Sequence, residues 1–252
     1  MPTIKDQAIC IRSVDWSETS QIVVLLTEQH GKISATAKGA KRQTTSTIEK
    51  FSGGVDLLAA GEAVLIARPA SDLANLTEWD LHQGHWHLRH DLSAFEAAMY
   101  AADLVHHLLS DRDAHPRTYQ ALRRFLLQLA RPDDQAPALL TFQWALADDL
   151  GYRPVLDRDA QTGQPIDDNA LTLAFNPIAG GLVADTGADD RWRVRQATVL
   201  ALRSVAAGDD IPPQAAENLL RANRLLCAYF RAILDRQLPT MDYLLVPDKT
   251  ML

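Results

Sequence analysis

The sequence predicts an α+β chain in two parts: a small β-barrel, then a helical body with a short irregular, hairpin-like insertion. Three observations carry this reading. Five short β-rich runs with glycine-bearing turns fall within residues 8–67. From about residue 80 the apolar positions switch to helical spacing. Between residues 153 and 190, prolines and glycines interrupt that spacing. The boundaries implied are 1–79 for the barrel and 80–246 for the helical domain, with the insertion at about 153–190 and a frayed tail at 247–252.

The strands are expected at residues 8–14, 21–26, 32–37, 54–58 and 63–67. The first is rich in β-branched residues and stops at Asp15, and the polar connection 15–20 carries one aromatic, Trp16. Residues 21–27 are almost entirely apolar, as a strand buried on both faces would be. Gly31 ends the turn 28–31, where a positive φ costs glycine nothing. Residues 32–38 then alternate, which puts Lys32, Ser34, Thr36 and Lys38 on one face. A basic tract, Lys38-Gly39-Ala40-Lys41-Arg42, and a polar loop at 43–47 follow. Five short strands of this kind suit a closed or partly open barrel.

Ser93-Ala94-Phe95-Glu96 has the capping-box pattern and opens a helix to about Leu109. Pro116 starts a second helix through Leu129, and Pro132 stops it. Residues 137–150 form a third, ended by Gly151. Strand-like pieces are expected at 171–175 and 182–183, and helices again at 195–206 and 213–237.

The 47% hydrophobic and 23% charged shares fit a globular protein with a real core. No apolar run reaches the ~18 residues that span a bilayer, and the start lacks a signal-peptide core, so a cytoplasmic protein without membrane contact is expected. Two distant cysteines, Cys10 and Cys227, exclude a disulfide framework and read as small buried hydrophobes. The net charge of −7 argues against a wholly basic nucleic-acid coat. Its distribution matters more: Lys32, Lys38, Lys41, Arg42 and Lys50 stand against Glu49 alone between residues 32 and 50. Such a patch attracts phosphates within a Debye length.

A catalytic constellation is not visible. His82, His85, His87 and His90 share no helix face with carboxylates, and the acidic pairs at 133–134, 148–149, 167–168, 189–190 and 209–210 fall at helix ends or loops. Walker, nucleophile-elbow, zinc-protease and dinucleotide fingerprints are missing from the sequence. No enzyme, cofactor or metal is therefore expected.

The order of features resembles the RecO family of bacterial recombination mediators. The matching strings are residues 8–12, Glu18-Thr19-Ser20-Gln21-Ile22-Val23, residues 30–42, Leu150-Gly151-Tyr152-Arg153-Pro154 and Gly180-Gly181-Leu182, with 30–42 the most specific. The resemblance implies an N-terminal OB-fold and a helical domain. It implies binding to single- and double-stranded DNA and annealing of complementary strands. It further implies work with RecR to load RecA onto DNA coated by single-strand-binding protein, docking on that protein's acidic C-terminal tail, and a nucleoid-associated location. Many relatives carry a four-cysteine zinc site; Asp159, Thr162, Ala184 and Gly187 stand at those positions, so no zinc is expected. The C-terminal stretch Leu238-Pro239-Thr240-Met241-Asp242-Tyr243 lacks the family's basic character.

The residues themselves agree with that mechanism. Lys32, Lys38, Lys41, Arg42 and Lys50, with Arg12 and Arg68 from adjacent strands, are candidates to neutralise phosphates. Trp16 and Phe51 flank the tract as candidate base-stacking platforms, with core packing the alternative for each. For an acidic tail with an aromatic end, Arg117, Arg123, Arg124 and Arg131 beside Phe125, Phe142 and Trp144 are candidates. Two other functional readings stay open: a protein-only adaptor whose barrel grips a peptide, and a hydrolase built on the histidine or acidic cluster.

Overall fold

The computed structural model describes residues 3–42, 44–67, 71–167, 172–209 and 216–245. Arg68, Asp168, Leu171, Asp210, residues 213–215 and the tail 247–252 lie outside the described residues. The chain divides into two compact units, Met1–Ala130 and Arg131–Leu252.

In the first unit, β1 (Thr3–Asp15), β2 (Gln21–Thr27), β3 (Gly31–Ala37), β4 (Ala60–Ile66) and β5 (Ala74–Gln83) close into a barrel in the order β1-β2-β3-β5-β4. Neighbours are antiparallel except β3 and β5, which pair in parallel from Ala35–Ala74 to Ala37–Leu76. With α1 (Thr45–Phe51) between β3 and β4, this is an OB-fold. The fold class is the α+β arrangement the sequence predicts.

The interior follows from strand alternation. Ala8 and Cys10, Val23 and Leu25, Ile33, Ala35 and Ala37, Ala63 and Leu65, and Ala74, Leu76 and Trp79 point inward, with Phe51, Val55 and Ala59 closing the core. A five-stranded barrel is narrow, and the alanines leave room for Trp79 and Phe51. Ile9, Ile11, Val24 and Leu26 are buried on the outer face, where α2 (Leu92–Leu108) packs on β1 and α3 (Pro116–Gln128) on β2. Gly31 is required twice over: its φ is 71°, and a Cβ there would strike the Asp113 backbone.

Three expectations are corrected here. Residues 54–58 are not a strand: Gly54 and Leu58 have positive φ, and the segment bonds to β1 only locally, with Leu58 N–H donating to the Cys10 carbonyl at 2.7 Å. The fifth strand is β5 instead, whose alternation is broken where Val64 pairs with Glu78 and Leu65 with Leu76, leaving Thr77 bulged. The polar loop expected at 43–47 runs into α1 from Thr45. In α2 the cap is Asp91, two residues before the expected Ser93; its side chain accepts from Ala94 N–H at 3.1 Å.

The second unit contains α4 (Gln135–Asp149), α5 (Gln196–Ala207), α6 (Ala216–Leu234) and the short α7 (Asp242–Leu245). Gly151, at φ 77°, ends the α4 turn as expected. α4 and α5 both pack on α6, and buried Gln143 on α4 donates to Asn223 on α6 at 2.7 Å. The insertion carries a three-stranded antiparallel sheet of β6 (Thr172–Asn176), β7 (Gly181–Val183) and β8 (Trp192–Arg195), in the order β7-β6-β8. The sequence signals β6 and β7 but not β8, which is four residues long. Both cysteines are buried and unbridged, and burial pushes the Cys10 thiol up to about 12. No helix among the described residues is long and apolar enough to cross a membrane.

Candidate nucleic-acid interface

The β1–β2 connection and the basic tract after β3 are laced together by hydrogen bonds. Gly39 N–H donates to Ser20 Oγ at 3.2 Å and Lys41 N–H to the Thr19 carbonyl at 3.1 Å. The tract turns back at Arg42, whose N–H donates to the Gly39 carbonyl at 3.0 Å, and Gly39 itself has a φ of 72°. Ser17 holds the other side, its Oγ accepting from Ser20 N–H at 3.1 Å.

The result is a cleft of about 370 Å³ lined by Trp16, Ser17, Ser20, Thr36, Lys38, Gly39 and Arg42. Trp16 is 70% exposed, so its indole face is available to a flat ligand. Lys38 and Arg42 are exposed, and no ion pair holds either among the described residues. Lys41 stands beside them, paired to Asp15 at 2.6 Å in an exposed bridge that salt weakens. Hydroxyl donors, two unpaired cations and an aromatic face in one cleft match the chemistry of a phosphate with its attached base.

The remaining expected DNA contacts lie elsewhere. Lys32 is 7% exposed, and its ammonium donates to the His106 and Leu109 carbonyls at 2.6 and 2.8 Å and pairs with Asp111 at 3.2 Å. Those partners engage its three donors, so this lysine finishes the C-terminal end of α2 instead of facing solvent. Phe51 is 5% exposed in the barrel core, the packing alternative for that ring. Arg12 is exposed, but its guanidinium donates to His106 Nε2 at 3.0 Å on the α2 side. Lys50 is exposed in the last turn of α1, outside the cleft lining. Arg68 lies outside the described residues. Ser17, Ser20 and Gly39 are site residues that the sequence does not single out: Ser17 lies in a polar connection, Ser20 in a family-matching string and Gly39 between the basic residues of the tract.

Of the four histidines, His85 and His87 are tied into the fold, while His82 and His90 are exposed. Buried His85 donates from Nδ1 to the Leu58 carbonyl at 2.8 Å, and His87 from Nε2 to Leu126 at 3.1 Å. Burial is the main cause holding His85 below its ordinary pKa.

In the second unit a larger cleft, about 730 Å³, is lined by Trp144, Pro154, Val155 and Leu156 with Arg153, Arg158 and Arg203 among its polar groups. Arg153 lies over the Trp144 ring at 5.7 Å. Trp144 is itself largely buried, at 7% exposed, and Phe142 is buried in the core at 1%. Arg117, Arg123 and Arg124 are exposed on α3 of the first unit.

The positions where the resemblance implies zinc do not fit that ion. Ala184 and Gly187 offer no donor side chain, and both carboxylate oxygens of Asp159 accept backbone N–H groups.

The fold and the cleft define an OB-barrel protein with an electropositive, aromatic edge. The family model Recombination protein O N terminal matches residues 1–85, and Recombination protein O C terminal matches residues 89–242. The chain therefore belongs to the RecO family. It is 31% identical to the DNA repair protein RecO of Rhodopirellula baltica, over 82% of this chain and 76% of that protein. It is 30% identical to that of Salinibacter ruber over 82% of this chain and 77% of the relative. With the Myxococcus xanthus protein it shares 26% identity over 97% and 98% of the two chains.

Proposed function

We propose that this chain is a non-enzymatic DNA repair and recombination mediator that binds single- and double-stranded DNA and anneals complementary strands. With RecR it would help load RecA onto DNA coated by single-strand-binding protein, working at the nucleoid. The observation that carries this reading is the cleft where exposed Trp16 meets unpaired Lys38 and Arg42.

The mechanism needs no covalent step. Lys38 and Arg42 neutralise backbone phosphates and release counterions, while Trp16 stacks one base. Lowering the charge of a first strand reduces its repulsion of a second, and base pairing then supplies specificity. Lys41 contributes once Asp15 lets go, which salt and a competing phosphate both favour. Lys32 stays out of this set because its ammonium is engaged inside the fold.

For the acidic partner tail, the cleft of Trp144, Arg153 and Arg158 offers an apolar floor with guanidinium groups at its rim. Arg117, Arg123 and Arg124 remain candidates for a separate contact.

The test is annealing of complementary oligonucleotides, bare and coated with single-strand-binding protein, by wild type and by a Lys38→Glu, Arg42→Glu variant. Loss of annealing on both substrates supports the reading. Annealing at wild-type rate by the variant removes this cleft from it.

A further inference from the structure

The insertion of the second unit contains a buried acid whose two carboxylate oxygens both accept backbone N–H groups. Asp159 is 6% exposed. Its Oδ1 accepts the backbone N–H groups of Gln161 and Thr162 at 2.9 and 2.8 Å, and its Oδ2 accepts that of Ala184 at 2.8 Å. The first two bonds close its own turn; the third reaches a residue 25 positions on, just past β7.

The main chain around it is tied in the same sense. Asp159 N–H donates to Gln164 and Gly163 N–H to Asp159, both at 2.8 Å, while Ala160 N–H donates to Leu182 at 2.7 Å. The side chain thus sits where the 159–164 turn crosses the end of β7. We propose that the Asp159 carboxylate is the cross-link of this insertion, joining two loops through backbone N–H groups and making the segment independent of any metal or thiol.

Three N–H donors converging on one carboxylate favour its charged form. Accordingly the Asp159 carboxyl is held below the usual carboxylate range, first by the Thr162 N–H, against opposition from burial, with the Ala184 and Gln161 N–H groups adding to it. The charged groups around it are Arg191, which donates to the Ala184 carbonyl at 2.9 Å and pairs with Asp190, together with Asp185 and Asp167 on the neighbouring cleft wall. Arg193 pairs with Asp185 at 3.2 Å, so that acid's charge is already offset.

Because the folded pKa is depressed, the link is fully present above the ordinary carboxylate value and is lost as pH falls through the folded one. A cross-link of this kind resists chelators and oxidants but yields to acid.

The experiment is amide hydrogen exchange on the full chain, with intrinsic rates corrected for pH. At pH 7 a zinc chelator leaves protection unchanged, while Asp159→Asn, which puts an amide N–H₂ against a donor, raises exchange at Gln161, Thr162 and Ala184 by roughly tenfold or more. The amides of β1–β5 stay as in wild type. Should the variant fail to fold, wild type alone decides. In an acid titration by NMR, the amide protons of Gln161, Thr162 and Ala184 shift together with one midpoint below the ordinary carboxylate value. Chelator-sensitive protection, unchanged exchange in the variant, or unlinked midpoints would each overturn the proposal.

Discussion

Lys32 Nζ donates to the Leu109 carbonyl oxygen at 2.8 Å, tying the start of β3 to the C-terminal end of α2. A buried cation among orphan helix carbonyls both satisfies them and opposes their negative dipole end. Replacing it with methionine is expected to cost about 2–3 kcal/mol. Urea unfolding of Lys32→Met checks this, and the same variant should retain the wild-type salt dependence of DNA binding.

The two aromatics that flank the basic tract should respond oppositely. Trp16→Ala removes an exposed ring, so melting should barely change while single-strand affinity falls by ~1–3 kcal/mol. Phe51→Ala opens a hole in the barrel core and is expected to cost ~3–5 kcal/mol of stability. Paired thermal melts and binding isotherms separate the outcomes.

His106 gives a pH signature. Burial first, then the charges of Lys32 and Arg12, then His107, lower its pKa to about 4, with Asp103 opposing. The unfolded chain binds this proton near pH 6.5 and the folded chain only near 4, so unfolding free energy should fall as pH drops through that interval. Denaturant midpoints at pH 7.5, 6 and 5 test the sign. In Arg12→Ala the decline should be shallower, because one of the charges that disfavours the imidazolium is gone.

A fourth expectation concerns the acidic tail. Arg153→Glu in the Trp144 cleft should weaken binding of a peptide with the partner's acidic C-terminal sequence by roughly tenfold, the scale of one charge-assisted contact. An Arg124→Glu variant, measured by the same titration, decides whether α3 contributes a contact of its own.

Much of the fold could be read from the chain because its local signals agree. The apolar run of β2 and the alternation of β3 survive intact in the barrel. β5 escaped because the bulge at Thr77 breaks its period, and α1 because threonine and serine are weak helix formers. The site was legible only in part, for a different reason. Lys32 and Lys38 have the same parity in the sequence, yet Lys38 falls just past the end of β3 and is exposed, while the loop after α2 covers Lys32: Arg112 N–H donates to the Lys32 carbonyl at 2.9 Å. Trp16 and Phe51 likewise look alike beside a basic tract until tertiary contacts turn one ring inward.

The central claim is that DNA lies on the barrel edge formed by Trp16 and the 38–42 tract. The direct measurement is fluorescence anisotropy of a labelled single strand across a salt series, comparing wild type with a Lys38→Glu, Lys41→Glu, Arg42→Glu variant whose folding is verified by circular dichroism. The account predicts a large loss of affinity and a log–log salt slope shallower by about 2, for three lost phosphate contacts at roughly 0.7 each. Equal affinity and an unchanged slope in the folded variant would contradict it.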